Sequence, residues 1–157
     1  MRIGQSQFFC VDGGDGISCK EQSNLEREAT VLMQIQVVCV GKLKEKYWSD
    51  GVAEYAKRLG AYARLDIREL PDEKTPERVS PAEEEQVRVR EGERILAALK
   101  PDAHVVALAL DGEAWSSEQL AAHLERQAVY GGGSVSFVIG GSLGLSPAVL
   151  SRADKKL

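Results

Sequence analysis

The chain has 157 residues with 43% hydrophobic and 28% charged content, which suits one soluble domain able to bury a core without disulfides or a structural metal. A formal net charge of -4 excludes a protein that coats nucleic acid by bulk charge alone. The cysteines, Cys10, Cys19 and Cys39, are odd in number and form no CxxC pair, so neither a zinc site nor a disulfide framework is indicated; this usage fits a reducing cytoplasm. No apolar run is long enough to span a bilayer, and no secretory signal follows Met1.

Residues 1–32 carry no sustained period of 2 or 3.6 and read as an irregular N-terminal extension. Within them VDGGDG is a loop cluster: the alternating acidic ligands and closing glutamate of a calcium loop are lacking. Regular structure begins at Met33. QIQVVCV, 34–40, is β-branched and predicts a strand that ends at Gly41. Trp48, Val52, Tyr55, Ala56 and Leu59 then recur at helical spacing over 45–59, and Tyr47 and Trp48 read as packing residues. ARLDIREL, 63–70, alternates and predicts a half-exposed strand toward a sheet edge. PDEKTPERV is a polar loop.

Ser80, Pro81 and Glu83 mark a helix start with a capping box. Val87, Ile95, Leu96 and Leu99 share one side of that helix, and Glu84 and Arg88 are spaced to pair on the wet face. HVVALAL, 104–110, is a continuous apolar run that predicts a strand buried on both faces. Asp111-Gly112 turns the chain. Ser116 and Gln119 form a second capping box before a helix with Leu120, Ala121, Leu124 and Ala128 inward, broken at YGGG. SVSFVI, 134–139, is another buried strand, and Ser146-Pro147 opens a last helix. Strands alternating with helices predict an α/β domain with a mostly parallel sheet and flanking helices.

In such sheets ligands sit beyond the carboxyl ends of the strands. Three loops qualify: Gly41-Lys42, Asp111-Gly112 and Gly140-Gly141-Ser142. Glycine lets the backbone approach a ligand closely, which suits a nucleotide-like molecule. GGSLGLS is not GxGxxG and lacks the P-loop lysine, so residue types alone favour a plain strand-to-helix turn. His104 and His123 are far apart in sequence, and His123 reads as a surface residue. Glu83, Glu84 and Glu85 read as a solvated helix face, and Lys42, Lys44 and Lys46 as a wet face able to meet phosphates. No GxSxG elbow, metal site or evident catalytic base stands out.

Taken together, VCVGKLKEKYWSDGVAEYAKRLGAYARLDIRELPDEK, EGERIL, LDGEAWSSEQLA and FVIGGSLGLSPAVLSRADKKL closely resemble the SPOUT-class ribosomal RNA large subunit methyltransferase H family, from Met33 to Leu157. The resemblance implies a SPOUT-like α/β fold with a trefoil knot and a homodimer. It implies S-adenosylmethionine as cofactor and N3 of a pseudouridine in 23S rRNA as substrate. By position it makes Leu108 and Gly140 cofactor-contacting residues, with Gly141 and Ser142 as neighbours in the same site. In that family a further short strand, a third cofactor loop and a long helix follow ADKKL. The resemblance therefore implies that 33–157 is a methyltransferase domain incomplete at its C-terminus. The alternatives are a truncated, inactive relic of that enzyme, or an unrelated nucleotide-binding or dimerisation module.

Overall fold

The computed structural model describes residues 33–73 and 80–157, which belong to one compact unit. VDGGDG, Cys10, Cys19 and the centre of the PDEKTPERV loop lie outside the described residues. Five strands form one sheet: β1 (Met33–Val40), β2 (Ala63–Leu70), β3 (His104–Leu108), β4 (Ser134–Ile139) and β5 (Lys155–Lys156). Their order is β2-β1-β4-β3-β5 and every pairing is parallel. The helices between them are α1 (Lys46–Leu59), α2 (Pro81–Ala98), α3 (Ser117–Tyr130) and α4 (Pro147–Arg152). The α/β expectation holds, and β2 lies at the edge its alternating pattern predicts.

Both capping boxes form. Ser80 Oγ accepts from Glu83 N–H while the Glu83 carboxylate accepts from Ser80 N–H at 2.8 Å. Ser116 and Gln119 repeat the arrangement at α3. Ser146 caps α4 alone, accepting from Val149 N–H at 3.4 Å.

Strand side chains alternate between sheet faces. On one face Val38, Val105 and Val138 pack with Ile95 of α2 and Val149 of α4 into the core. The same face buries a polar pair: Ser136 Oγ donates to Gln36 Oε1 at 2.9 Å, and Gln36 Nε2 donates to Ala98 O at 3.2 Å, so neither buried side chain is orphaned. Val37 and Cys39 point to the other face, where α1 and α3 lie.

Several expectations are corrected. The third strand stops at Leu108, and Leu110 is fully exposed, because the chain turns out of the sheet at 109–112. Ala121 and Ala128 are exposed; the buried residue of α3 is His123, only 5% exposed and not at the surface. Its ring lies 4.9 Å from that of His104, so helix packing joins two histidines that are distant in sequence. Arg88 pairs with Glu85 rather than Glu84. Tyr47 and Trp48 stack on each other at 4.7 Å, but α1 buries none of its residues and Trp48 is 57% exposed. The helical spacing was sound; the apolar stripe simply has no cover among the described residues.

Candidate active site

The carboxyl ends of β3 and β4 open into a cleft of about 650 Å³. Its walls come from two chain turns and the C-terminal residues. The first turn follows β3, from Leu108 through Asp111. The second follows β4, from Gly140 through Leu145. Leu150 and Leu157 line the cleft as well. All four residues expected at the site, Leu108, Gly140, Gly141 and Ser142, line this one cleft. The Gly41-Lys42 loop does not join it. That loop borders a separate apolar groove of about 470 Å³ between α1 and the sheet, with Val37, Cys39, Val52 and Ile67. Ile139 touches both spaces.

The glycine turn is built for close approach. Gly144 N–H donates to Gly141 O at 3.0 Å, closing a four-residue turn, and Gly144 sits at φ +82°, where a side chain would be strained. A Cβ on Gly140 would fall 2.8 Å from the Gly144 backbone. The first turn is equally tight, since a Cβ on Gly112 would overlap the backbone of Leu157.

The pairing that brings Leu157 to the cleft has no local signal in the sequence. Lys155–Lys156 pairs in parallel with Val106–Ala107. The pairing is extended at both ends. Asp154 N–H donates to Val105 O, Leu157 N–H to Ala107 O, and Ala109 N–H to Leu157 O, all within 2.8 Å. Asp154 adds a side-chain clasp by accepting from Val105 N–H at 2.8 Å. Two lysines carry no strand signal; the pairing is a long-range event that local pattern does not encode.

At the amino end of β3 lies a titratable cluster. His123 stacks near His104 and Trp115, each at 4.9 Å between ring centroids. Burial, and then the electrostatic influence of His104, Arg126 and Lys155, hold the His123 imidazole below its ordinary pKa. In the neighbouring groove, burial and then Glu69 push the Cys39 thiol up, which disfavours its thiolate. Among the described residues no group of three His, Cys, Asp or Glu side chains is arranged to hold a metal. No described helix is long and apolar enough to cross a membrane.

An open parallel sheet with an apolar, glycine-edged cleft beyond its carboxyl ends defines an α/β domain whose cleft lies where such sheets hold small ligands. Comparison with known proteins narrows the class. The family model described as predicted SPOUT methyltransferase matches residues 33–157, and the chain belongs to that family. It is 60% identical over 125 residues to a protein of Listeria monocytogenes serotype 4a (strain HCC23) named ribosomal RNA large subunit methyltransferase H, a match covering 80% of this chain and 79% of that one. Proteins of the same name from Exiguobacterium sibiricum and from Bacillus pumilus (strain SAFR-032) are 57% and 55% identical, over 122 and 125 residues. Those matches cover 78% and 80% of this chain, and 77% and 79% of the respective relatives. Family membership makes the protein a methyltransferase and sets aside an unrelated nucleotide-binding or dimerisation module.

Proposed function

We propose that the protein transfers a methyl group from S-adenosylmethionine to N3 of a pseudouridine in 23S rRNA, acting as a cytoplasmic homodimer. The observation that carries this reading is the convergence of Leu108, Gly140, Gly141 and Ser142 on one cleft in a chain of the SPOUT family. The relatives' shared name supplies the rRNA substrate class.

The cleft fits the cofactor. Its volume lies within the range of small-molecule sites. Leu108, Ile139, Leu145 and Leu150 offer apolar surface to an adenosine, and the turn from Gly140 to Ser142 offers backbone polar groups at close range. This cofactor has no phosphate, which agrees with the missing GxGxxG and P-loop lysine. When bound, it supplies a methyl group already made electrophilic by its sulfonium. What remains is alignment of a base nitrogen with that methyl, an entropic contribution that rigid turns on strand ends provide, and release of the N3 proton to solvent as the nitrogen–carbon bond forms and the sulfur–carbon bond breaks.

Two surface features favour the proposed partners. Lys42 and Lys44 are exposed and form no ion pair among the described residues, whereas Lys46 is engaged with Asp50 at 2.7 Å. They are free to meet rRNA phosphates. The uncovered stripe of α1 and the apolar groove beside it form a continuous patch of the kind that protein interfaces cover, which suits a second copy of the chain.

Isothermal titration tests the cofactor assignment. The protein is expected to bind S-adenosylmethionine, and Gly140→Ala to weaken that binding at least tenfold while the far-UV circular dichroism stays native. ATP or NAD binding in place of S-adenosylmethionine, or wild-type affinity in Gly140→Ala, would overturn it.

A further inference from the structure

Glu91 lies in the second half of α2 and is 4% exposed. A carboxylate is costly to bury unless hydrogen bonds and opposite charge compensate. Oε1 has such a bond, accepting from the backbone N–H of Glu73 at 3.1 Å. Oε2 is buried without a hydrogen-bond partner among the described residues. The arginines one position before it and three positions after it on α2 are engaged elsewhere. Arg90 and Arg94 both pair with the Glu73 carboxylate, and Arg94 also donates to Pro71 O at 3.0 Å.

Oε2 faces the glycine turn. A Cβ on Gly141 would fall 2.8 Å from it and 3.2 Å from Val40 Cγ1. Gly141 itself lines the cleft. A buried carboxylate thus abuts the backbone of a residue that lines the cleft.

We infer that Glu91 sets the cleft's preference for a cationic ligand. The inference deepens the proposed function and rests on it. S-adenosylmethionine carries a positive sulfonium, and its product, S-adenosylhomocysteine, has lost that charge with the methyl. The two share their adenosine and amino-acid contacts, so a buried carboxylate left without a counter-charge among the described residues is a device that tells them apart. It attracts the charged cofactor and loses that attraction once the methyl has left, which favours exchange of product for fresh cofactor. Glu91 acts through the field at the turn and does not touch the reacting atoms; it is a specificity-determining residue. One such charge–charge attraction, screened across a backbone segment, corresponds to roughly five- to tenfold in affinity.

The test is titration of the full 157-residue chain with three ligands: S-adenosylmethionine, sinefungin (an amine, also cationic, replaces the sulfonium) and S-adenosylhomocysteine. Glu91→Gln keeps the shape and removes the charge. Its Kd for the two cations is expected to rise about five- to tenfold more than its Kd for S-adenosylhomocysteine. An equal loss for all three would make Glu91 a packing residue and overturn the inference, as would no change. Should Glu91→Gln fail to fold, Glu91→Asp decides: with the charge kept, the cation-to-neutral ratio should stay within about twofold of wild type, and a collapsed ratio refutes the field. If the wild-type chain binds none of the three, the functional reading itself fails, and this inference with it.

Discussion

Gly92→Ala should destabilise the protein although it replaces glycine inside a helix. On an exposed helix the change would stabilise by about 1 kcal/mol through backbone entropy. Here α2 packs its backbone onto the residue that caps α4. A Cβ on Gly92 would overlap Ser146 Oγ and fall 2.8 Å from Ser146 Cβ. Ser146 is itself buried, and its hydroxyl is committed to Val149 N–H. Forcing a methyl into such packing costs about 1–3 kcal/mol, and displacing the cap adds roughly 0.5–2 kcal/mol. The net expectation is a loss of about 2 kcal/mol, a fall in Tm of roughly 6–10 °C for a domain of this size. The partner variant Ser146→Gly removes both crowding atoms, and glycine at an N-cap costs only a few tenths of a kcal/mol. In that background Gly92→Ala should be neutral or stabilising by up to about 1 kcal/mol, a coupling of roughly 2–3 kcal/mol. Urea and thermal melts followed by circular dichroism read the cycle. If Gly92→Ala stabilises the wild type, or costs the same in both backgrounds, the α2–α4 contact is not what holds this end of the core.

Acidification should weaken the fold through His123. Its native pKa is lowered by burial and by the neighbouring His104, Arg126 and Lys155. The unfolded chain therefore takes up the proton first, and stability falls as pH drops below about 6.5. His123→Phe should flatten the dependence of Tm on pH between about 7 and 5, and an unchanged slope would show that the proton goes elsewhere. Lys42→Ala with Lys44→Ala should weaken rRNA binding and reduce its salt slope by about 1–2, with cofactor affinity unchanged; a slope equal to wild type in filter-binding titrations would remove these lysines from the interface.

Much of the fold was legible because its signals are local. Ser80-Pro81 with Glu83, and Ser116 with Gln119, start their helices as capping physics demands. The β-branched runs at 34–40 and 134–139 are strands on the expected residues, within one position. Glycine after a buried strand marked the turn that edges the cleft. The misses share a different cause: each depends on what lies across space. Lys155–Lys156 becomes a strand only because β3 offers it an edge. His123 is buried because α3 lays it against His104 and Trp115. Glu91 sits in a helix rich in carboxylates, and nothing in EGERIL distinguishes it from its solvated neighbours until Gly141 appears opposite. The stripe on α1 was visible, but periodicity tells that a face is apolar and not what covers it.

The central claim is tested most directly by methyl transfer. Large ribosomal subunits lacking N3-methylated pseudouridine would be incubated with the protein and methyl-labelled S-adenosylmethionine, and the 23S rRNA digested to nucleosides for mass spectrometry. Label is expected in N3-methylpseudouridine, and at subsaturating cofactor it should fall about tenfold in Gly140→Ala. Label in another nucleoside, or no transfer from a protein that binds the cofactor, would contradict it.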